Sequence, residues 1–311
     1  MTQLTRKEEA SSEIFTQEGT LPADPIFNNV VKVAGLAVIG VLIWMTLVVA
    51  GDSLPAIRQF GFGFLTDSNW DPNSDQFGGL SFVFGTVATA LIAMAFAIPI
   101  GLGIAIFLTE DFLPEAVLTP ISFMVELLAA IPSVVYGLWG IFVMIPILRP
   151  LLQWLSGGSS SGYGLFTAGL LLSIMVLPTV ASISREVLKS IPRSLRNASL
   201  ALGATRWETI FRVMIPAGTS GIVGACVLGL GRALGETMAV TMVIGNAPEI
   251  PKSIFAPAYT IAAVLANEFG EASGELHLSS LFFAGFLLFV ITLLVNILAE
   301  IFVRRVSLER Q

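Results

Sequence analysis

The sequence is built from long apolar runs, each close to the length that a helix needs to cross a lipid bilayer, about 20 residues. Only 12% of the 311 residues are charged, whereas 55% are hydrophobic. That charged fraction is roughly half of what a soluble domain carries. The runs predict an all-α integral membrane protein with six transmembrane helices. They lie at residues 33–51, 78–109, 116–148, 163–184, 216–246 and 279–298.

The distribution of Lys and Arg predicts the orientation, because these residues are more frequent in cytoplasmic loops. With six spans and both termini in the cytoplasm, the inside segments carry twelve such residues, and the outside segments carry only Arg58, Arg149 and Lys252. A seventh crossing would export Arg304 and Arg305. The inside residues are Arg6, Lys7, Lys32, Arg185, Lys189, Arg193, Arg196, Arg206, Arg212, Arg304, Arg305 and Arg310.

Three other segments complete the organisation. Residues 1–28 form a charged tail that we predict to be cytoplasmic and disordered, and not a cleaved signal peptide. Residues 52–78 are rich in Asp, Asn and Gly and predict a solvent loop. Residues 253–267 are uncharged but short for a crossing, and we interpret them as a helix at the surface.

The residue types present exclude several kinds of site. A single cysteine, Cys226, allows no intrachain disulfide or cysteine metal cluster, and a single histidine, His277, allows no site of paired imidazoles. We interpret both residues as incidental, and we expect no catalytic residue, metal site or cofactor site in this chain. A P-loop needs a Gly-Lys pair, which none of the four lysines forms.

One charge pair interrupts the fifth run. Arg232 and Glu236 are the only charges between Pro216 and Asn246, and an arginine at the centre of a membrane helix costs about 2.5–3.5 kcal/mol. At a spacing of four residues on a helix the two charges can pair. Two interpretations are open: a buried salt bridge that fixes helix packing, or a lining for the route of an anion, whose oxygens the two-pronged arginine would hold.

Two glycines lie beside this pair. Gly231 and Gly235 have the same spacing of four residues. Small residues at this spacing let two membrane helices approach closely. We therefore expect a close-packing stripe next to the charged stripe, with the charges facing the protein interior or a water-filled path.

The inside loop at about residues 190–215 predicts two short helices joined by a glycine turn. The first follows Pro192 and ends before Gly203, a residue type typical just past a helix C-terminus. Thr205 and Glu208 have the spacing of a capping box that would begin the second. By this pattern alone the loop either lies on lipid headgroups or forms a docking surface.

The same loop resembles the EAA loop of ABC importer permeases. The sequence N-A-S-x-x-x-G at residues 197–203 is followed by nine residues and by V-M-I-P at 213–216. The family's glutamate is replaced by Asn197, and its second alanine by Ser199. In that family the loop forms the coupling helix that sits in a cleft of the ATPase subunit. The resemblance therefore implies ATPase coupling by Asn197, Ala198, Ser199, Leu200, Gly203 and Ala204.

Three more segments, residues 62–86, 131–140 and 231–240, resemble the phosphate-specific ABC importer. The first outside loop, with its aromatic and Asp residues, is similar to the C-type permease subunit of that importer. The resemblance extends from about residue 28 to the C-terminus. It implies a type I importer permease domain at residues 29–311, in the bacterial inner membrane. It also associates Arg232 and Glu236 with the transport of inorganic phosphate.

The resemblance implies a set of partners as well. It implies a second homologous permease, which would form a heterodimer with this chain within the lipid bilayer. A dimer of ATP-binding subunits would carry ATP and magnesium on the cytoplasmic face. An external phosphate-binding protein would contact the outside loops 52–78 and 246–278. No nucleic acid is expected among the partners.

Several other residues within the apolar runs are weaker candidates for a functional role. Pro132, Ser133 and Tyr136 mark a bend at membrane depth and are candidates for shaping a cavity, although prolines are common in spans as packing features. We interpret Glu126 as a helix-end or interhelix hydrogen-bond partner and Arg185 as an anchor at the membrane interface.

The alternative function is an ion-coupled secondary anion transporter or channel that works without an ATPase. This alternative leaves the loop at 190–215 without a purpose.

Overall fold

The computed structural model describes residues 24–110, 112 and 114–308, with side chains between residues 27 and 301. Among these residues, five helices are long and apolar enough to cross a membrane, and there are six if the segments Arg206–Ala217 and Thr219–Gly235, bent by 73° relative to each other, count as one span. This confirms the prediction of a helical membrane protein with six spans. Of the predicted disordered tail, residues 1–23 lie outside the described residues, whereas the chain is helical from Asp24.

The elements follow one another in this order: α1 (Asp24–Asp52), α2 (Leu54–Phe60), α3 (Gly63–Thr66), β1 (Trp70–Asp71), β2 (Gln76–Phe77), α4 (Leu80–Thr109), α5 (Glu115–Ala130), α6 (Ser133–Trp139), α7 (Ile145–Leu155), α8 (Leu165–Ser190), α9 (Arg193–Ala201), α10 (Arg206–Thr209), α11 (Ile215–Ala217), α12 (Thr219–Gly235), α13 (Met238–Val243), α14 (Ile261–Glu268) and α15 (Glu275–Leu308). Single π-helical turns, Gly140–Met144 and Ile210–Met214, join α6 to α7 and α10 to α11. The strands pair as an antiparallel hairpin.

The chain divides into two compact units, residues 1–48 and residues 49–311. In the first unit the described residues belong to α1, and their apolar side chains are exposed. Such a helix suits a lipid environment, where apolar side chains need no protein cover.

Helices α4 and α8 form the centre of the second unit, where they run parallel and pack along most of their length. Glycines allow this approach. A Cβ atom added at Gly169 would lie 2.5 Å from Ile92 Cγ2, and one at Gly101 would lie 3.0 Å from Val180 Cγ1. Membrane helices gain van der Waals contact where small residues let them approach.

Three clusters of buried apolar side chains follow one another along these helices. The central cluster joins α4, α6, α8, α12 and α13. A second cluster, at what we call the hairpin end, joins α2, α3 and the hairpin to the first turns of α4, α14 and α15. A third, at the loop end, joins the last turns of α4 and α8 to the turn Ile210–Met214 and to α12. The segment that resembles a coupling loop is therefore built onto the ends of the two central helices.

The structure corrects the prediction that residues 52–78 form a solvent loop. They fold into α2, α3 and the hairpin, and Ala56, Phe64 and Phe77 are buried. Phe64 packs against Phe283 with ring centroids 4.5 Å apart. The polar residues of this segment lie mainly within residues 66–76, in the hairpin and directly before it, which is why composition alone indicated solvent. The segment is a folded cap on the hairpin end.

Two other predicted segments also differ. The run 116–148 is divided, because α5 ends at Ala130 and α6 begins only after Pro132. The run 253–267 is not a surface helix: its helical part begins at Ile261, and the first turn, Ile261 to Val264, is buried. Thr260 caps this helix by accepting a hydrogen bond from the Ala263 N–H at 3.2 Å. The short apolar run is therefore a core element at the hairpin end.

Gly85 offers a test of how α4 is joined to this end. A Cβ atom there would overlap the carbonyl oxygen of Tyr259, whereas one at Gly103 would meet nothing within 4 Å. Overpacking of a filled site costs about 1–3 kcal/mol, so we expect Gly85→Val to lower the thermal unfolding midpoint of the purified protein by several degrees. Gly103→Val is the matched control, since it makes the same change inside the same helix. Equal midpoints for the two variants would contradict this packing.

Candidate functional site

Arg232 and Glu236 do not form the pair that their spacing predicts. Helix α12 ends at Gly235, and Glu236 has an extended backbone with φ −70° and ψ 126°. The two side chains therefore leave the chain in different directions, and within the described residues they form no ion pair. Glu236 Oε1 accepts a hydrogen bond from the Ala239 N–H at 3.3 Å. The carboxylate thus lies at the start of α13, where the helix dipole favours a negative charge.

Arg232 is exposed on the last turn of α12. Its Nη1 donates a hydrogen bond to Thr179 Oγ1 on α8 at 3.4 Å, and its charge acts on the phenol of Tyr136. One long hydrogen bond leaves most of the five guanidinium donors available. Arg232 is therefore an exposed cation beside α8, and an anion can reach its remaining donors.

Gly231 and Gly235 are not the glycines at which α12 packs closely against another helix. A Cβ atom at Gly231 would only touch Asn296 Oδ1, at 3.9 Å, and one at Gly235 would meet nothing within 4 Å. Gly221 and Gly229 make the close approach instead, because a Cβ atom at either would come within 2.9 Å of valine side chains of α8. The role of Gly235 is to end α12 just before Glu236.

Pro132, Ser133 and Tyr136 lie at a bend between α5 and α6, as their sequence predicted. Pro132 precedes α6 with an extended backbone, and Ser133 is the first residue of that helix. Tyr136 is buried, and its hydroxyl donates to the Leu128 carbonyl of α5 at 2.8 Å. This bond joins α6 to α5 across the proline.

The loop of residues 190–215 has the predicted helix, turn and helix. Helix α9 ends at Ala201, Gly203 has φ +88°, and Thr205 and Glu208 form both bonds of a capping box. A left-handed φ favours glycine because it has no Cβ. Ser199 Oγ and Thr209 Oγ1 lie 3.0 Å apart and join the two helices. The loop is therefore a rigid unit.

This unit presents an apolar outer face. Of the residues assigned to coupling, Asn197, Ala198, Leu200 and Gly203 are exposed, and Ser199 and Ala204 are half-buried. Leu202 is 90% exposed, and Trp207 and Phe211 stack with ring centroids 6.0 Å apart while both remain more than half exposed. Exposed apolar patches of this kind mark binding surfaces for proteins or membranes.

An ion pair that sequence reasoning missed joins the loop to a span. Glu110 directly follows α4 and is 2% exposed, and Arg196 Nη2 of α9 donates to its Oε2. The only signal in the sequence was an acidic residue at the end of an uncharged run of about 30 residues. The pair joins α9 to the end of α4.

A second ion pair joins Glu126 of α5 to Arg185 of α8, with Oε1 and Nη1 3.5 Å apart. Both residues line a cavity of about 1150 Å³ at the loop end. The interhelix role predicted for Glu126 agrees with this contact. Arg185, which we interpreted as an interface anchor, is instead 18% exposed and directed toward α5.

His277 is not incidental, in contrast to the expectation from sequence. It is buried at the hairpin end, and its ring stacks on Phe77 with centroids 5.3 Å apart. Its Nε2 lies 3.2 Å from Glu268 Oε2, which also accepts from Trp70 Nε1 at 2.8 Å. These contacts fasten the hairpin to α14 and α15. Within the described residues, no three His, Cys, Asp or Glu side chains are grouped to hold a metal.

Ionisation of Tyr259 is expected to destabilise the hairpin end in alkaline solution. Burial raises the pKa of its phenol to about 12 from the ordinary value of 10, and the charges of Glu268 and Glu271 add to this, whereas Asn267 donates to the hydroxyl at 2.9 Å. The folded state holds the proton longer than the unfolded chain, so stability is complete below pH 10 and falls as the pH rises toward 12. We expect Tyr259→Phe to flatten this decline between pH 9 and 11 in thermal unfolding of the purified protein. Parallel declines in both proteins would contradict the assignment.

The chain is similar to proteins of known name over nearly its full length. The family model described as "Binding-protein-dependent transport system inner membrane component" matches residues 97–308. The phosphate transport system permease protein PstC of Mesorhizobium japonicum is 44% identical over 298 residues, 91% of each chain. PstC of Haemophilus influenzae is 42% identical over 91% of this chain and 94% of the relative, and PstC 2 of Mycobacterium tuberculosis is 38% identical over 88% and 90%.

Solved structures share the fold. A bacterial alginate ABC transporter in complex with an alginate-bound periplasmic protein contains a chain with a TM-score of 0.64 and 17% identity, covering 92% of this chain and 98% of that one. Inward-facing MetNI methionine ABC transporter gives a TM-score of 0.57 and 21% identity, covering 73% and 95%. At such identities the likeness establishes the fold alone.

Proposed function

The chain belongs to the family of binding-protein-dependent transport system inner membrane components, and we propose that it is the membrane-spanning subunit of an ATP-driven importer of inorganic phosphate. The observation that carries the proposal is its similarity to a phosphate transport system permease over 91% of both chains. As a member of this family the chain is a multi-pass inner-membrane transport component and not an enzyme.

Arg232 supports phosphate as the substrate. A guanidinium binds oxyanions through paired N–H donors, and Arg232 is exposed with a single long hydrogen bond, to Thr179. Glu236, at the start of α13, places a negative charge four residues further along the chain without forming an ion pair with the arginine. A repelling charge beside an attracting one keeps phosphate from binding too tightly to leave. In this proposal the bend at Pro132, Ser133 and Tyr136 shapes the wall of the phosphate route.

The loop of residues 190–215 supports coupling to a separate ATPase. Its apolar outer face, with Leu202 and Trp207, is suited to a cleft on another protein. In this proposal the ATPase subunits hold ATP and magnesium, and the two termini lie with the loop in the cytoplasm. The folded cap at the hairpin end then faces outward toward a phosphate-binding protein, and the exposed apolar faces of α5 and α6 face a second permease or lipid.

The alternative, an ion-coupled transporter without an ATPase, is disfavoured by the same loop. A transporter working alone has no use for a rigid helix–turn–helix unit with an exposed apolar face that is clamped to a span through Glu110 and Arg196. It would also place a charge relay at Arg232 and Glu236, which form no pair in the part of the chain that the structure describes.

The proposal is tested by purifying the tagged chain from membranes and by measuring uptake. We expect the chain to co-purify with a second permease and an ATPase, and proteoliposomes of this complex to accumulate labelled phosphate when ATP and the binding protein are both supplied. Uptake that persists without ATP and follows the proton gradient would instead favour the alternative. Arsenate and phosphonate serve as competitors to measure selectivity.

A further inference from the structure

The cavity at the loop end has the charge of an anion site. It lies between α5, the last turns of α8 and the loop, and its volume is about 1150 Å³. A concave basic surface raises the local concentration of anions. The excess of positive charge stands out in a chain with a formal net charge of −6. Its lining contains five cationic residues and two acidic ones, namely Arg185, Lys189, Arg193, Arg196 and Arg206 against Glu115 and Glu126. Arg196 is paired with Glu110, which lies outside the lining, so four cations remain against the two acids.

Four of the six residues that α5 contributes to the wall are polar, although the helix is otherwise apolar. Glu115, Thr119, Ser122 and Glu126 follow one another at spacings of three and four residues, so they share one helix face. All four line the cavity. Polar groups at this depth are tolerated where they border water rather than lipid. The cavity is therefore a hydrated space that an ion can enter.

Arg185 has donors left for a ligand. Its contact with Glu126 is long, at 3.5 Å, and involves only Nη1. Its Nε is buried and has no hydrogen-bond partner among the described residues. A buried donor without a partner is costly, and a tetrahedral oxyanion supplies the acceptors that would satisfy it. Glu126, whose side chain is 60% exposed, can turn away when such an anion binds.

A line of polar residues on α8 connects this cavity with Arg232. Thr179, which accepts from Arg232, is followed by Ser182, Arg185 and Lys189 at spacings of three and four residues. All four are at least partly exposed. Six residues of helix separate Thr179 from Arg185, a rise of about 9 Å. Arg185 thus lies less than two turns along α8 from Thr179, the residue that Arg232 of α12 contacts.

We propose that the loop-end cavity is a second phosphate-binding site, which receives the anion from Arg232 and holds it between Arg185 and Lys189 before release. This inference rests on the proposed function, because it assumes that phosphate passes Arg232. The phosphate group of an acidic lipid has the same chemistry as the free anion, so the test separates the two sources.

Lys189 makes direct detection possible, since the chain has only four lysines. The assembled complex, in phosphatidylcholine nanodiscs without nucleotide, is treated with an amine-modifying reagent, and labelling of each lysine is followed by mass spectrometry. We expect 10 mM inorganic phosphate to slow labelling of Lys189 at least threefold relative to chloride at equal ionic strength. Lys252 is the internal control, and its labelling rate should not change. It is exposed in the segment that contacts the start of α8, whereas the cavity lies at the last turns of that helix. Arg185→Gln is expected to abolish the protection.

Each other outcome overturns the inference. Equal labelling with phosphate and chloride, or a Lys189 that does not react even without phosphate, would show that the cavity takes no phosphate in the assembled protein. Protection by phosphatidylglycerol but not by inorganic phosphate would assign the site to lipid. Uptake by the wild-type complex is measured in parallel: if uptake is present and protection absent, only this inference fails, whereas absent uptake refutes the proposed function itself.

Discussion

Phosphate uptake by the assembled importer is expected to fall about 10- to 100-fold when Arg232 is replaced by glutamine. A hydrogen bond to a charged group contributes about 1.5–3 kcal/mol, and each 1.4 kcal/mol is a factor of ten. The substitution should not disturb folding, because Arg232 is exposed and its one described hydrogen bond, to Thr179, is long. The measurement is uptake of labelled phosphate at low concentration in cells that lack the native copy, with membrane levels matched.

Three further variants make this result specific. Arg232→Lys keeps the charge but loses the two-pronged geometry, so its uptake should lie between those of the wild type and Arg232→Gln. Arg149→Gln removes an exposed arginine of α7, outside the cap and the loop-end cavity, and should leave uptake unchanged. Glu236→Gln retains an oxygen that can accept from the Ala239 N–H, so a loss of uptake there would be due to charge rather than to the start of α13. Full uptake by Arg232→Gln would reduce the arginine to a packing role and move the phosphate contacts to other helices or to the partner permease.

Sequence patterns predicted those features that depend on neighbouring residues. The capping box of Thr205 and Glu208, the turn at Gly203 and the bend at Pro132 are each fixed by a few consecutive side chains, and the structure contains all three. The apolar runs likewise predicted the spans, because length and composition alone decide whether a helix suits the bilayer.

Gly235 shows why the charge pair was predicted wrongly. A glycine near a helix end is a signal for termination, but in an apolar run it equally suggests a close-packing motif. We followed the second interpretation, which kept Glu236 on the helix face of Arg232. The structure ends α12 at Gly235, and the close approach to α8 is made at Gly221 and Gly229 instead.

Contacts between distant residues were beyond prediction. Glu110 and Arg196 are 86 positions apart, and Trp70 and Glu268 are 198 apart. Such pairs depend on which helix ends meet, and a single sequence contains no signal for that. The same holds for the loop-end cavity, whose basic residues come from α8, α9 and α10 and whose acidic residues come from α5.

The second large effect is expected at Glu110. Removal of one partner of a buried ion pair costs about 3–5 kcal/mol when the other charge stays buried, and less here because Arg196 is 22% exposed and can turn to water. In Glu110→Gln the loop keeps its own folding contacts, such as the one between Ser199 and Thr209, but loses the charged link to α4. We therefore expect ATP hydrolysis to continue while phosphate transported per ATP falls about tenfold.

The Glu110→Gln variant distinguishes a mechanical role of the Glu110–Arg196 ion pair from a role in the proposed anion site. Glu110 does not line the loop-end cavity, and its neutralisation makes the surroundings of Arg196 more positive. A role limited to attracting phosphate would then leave uptake unchanged or raise it, whereas loss of a mechanical link lowers uptake. Glu186→Gln, an exposed acidic residue of α8 outside the cavity, is the matched control. Hydrolysis and uptake measured in the same proteoliposomes decide the question, and a parallel fall of both would mean that Glu110 supports folding or ATPase docking and does not transmit movement.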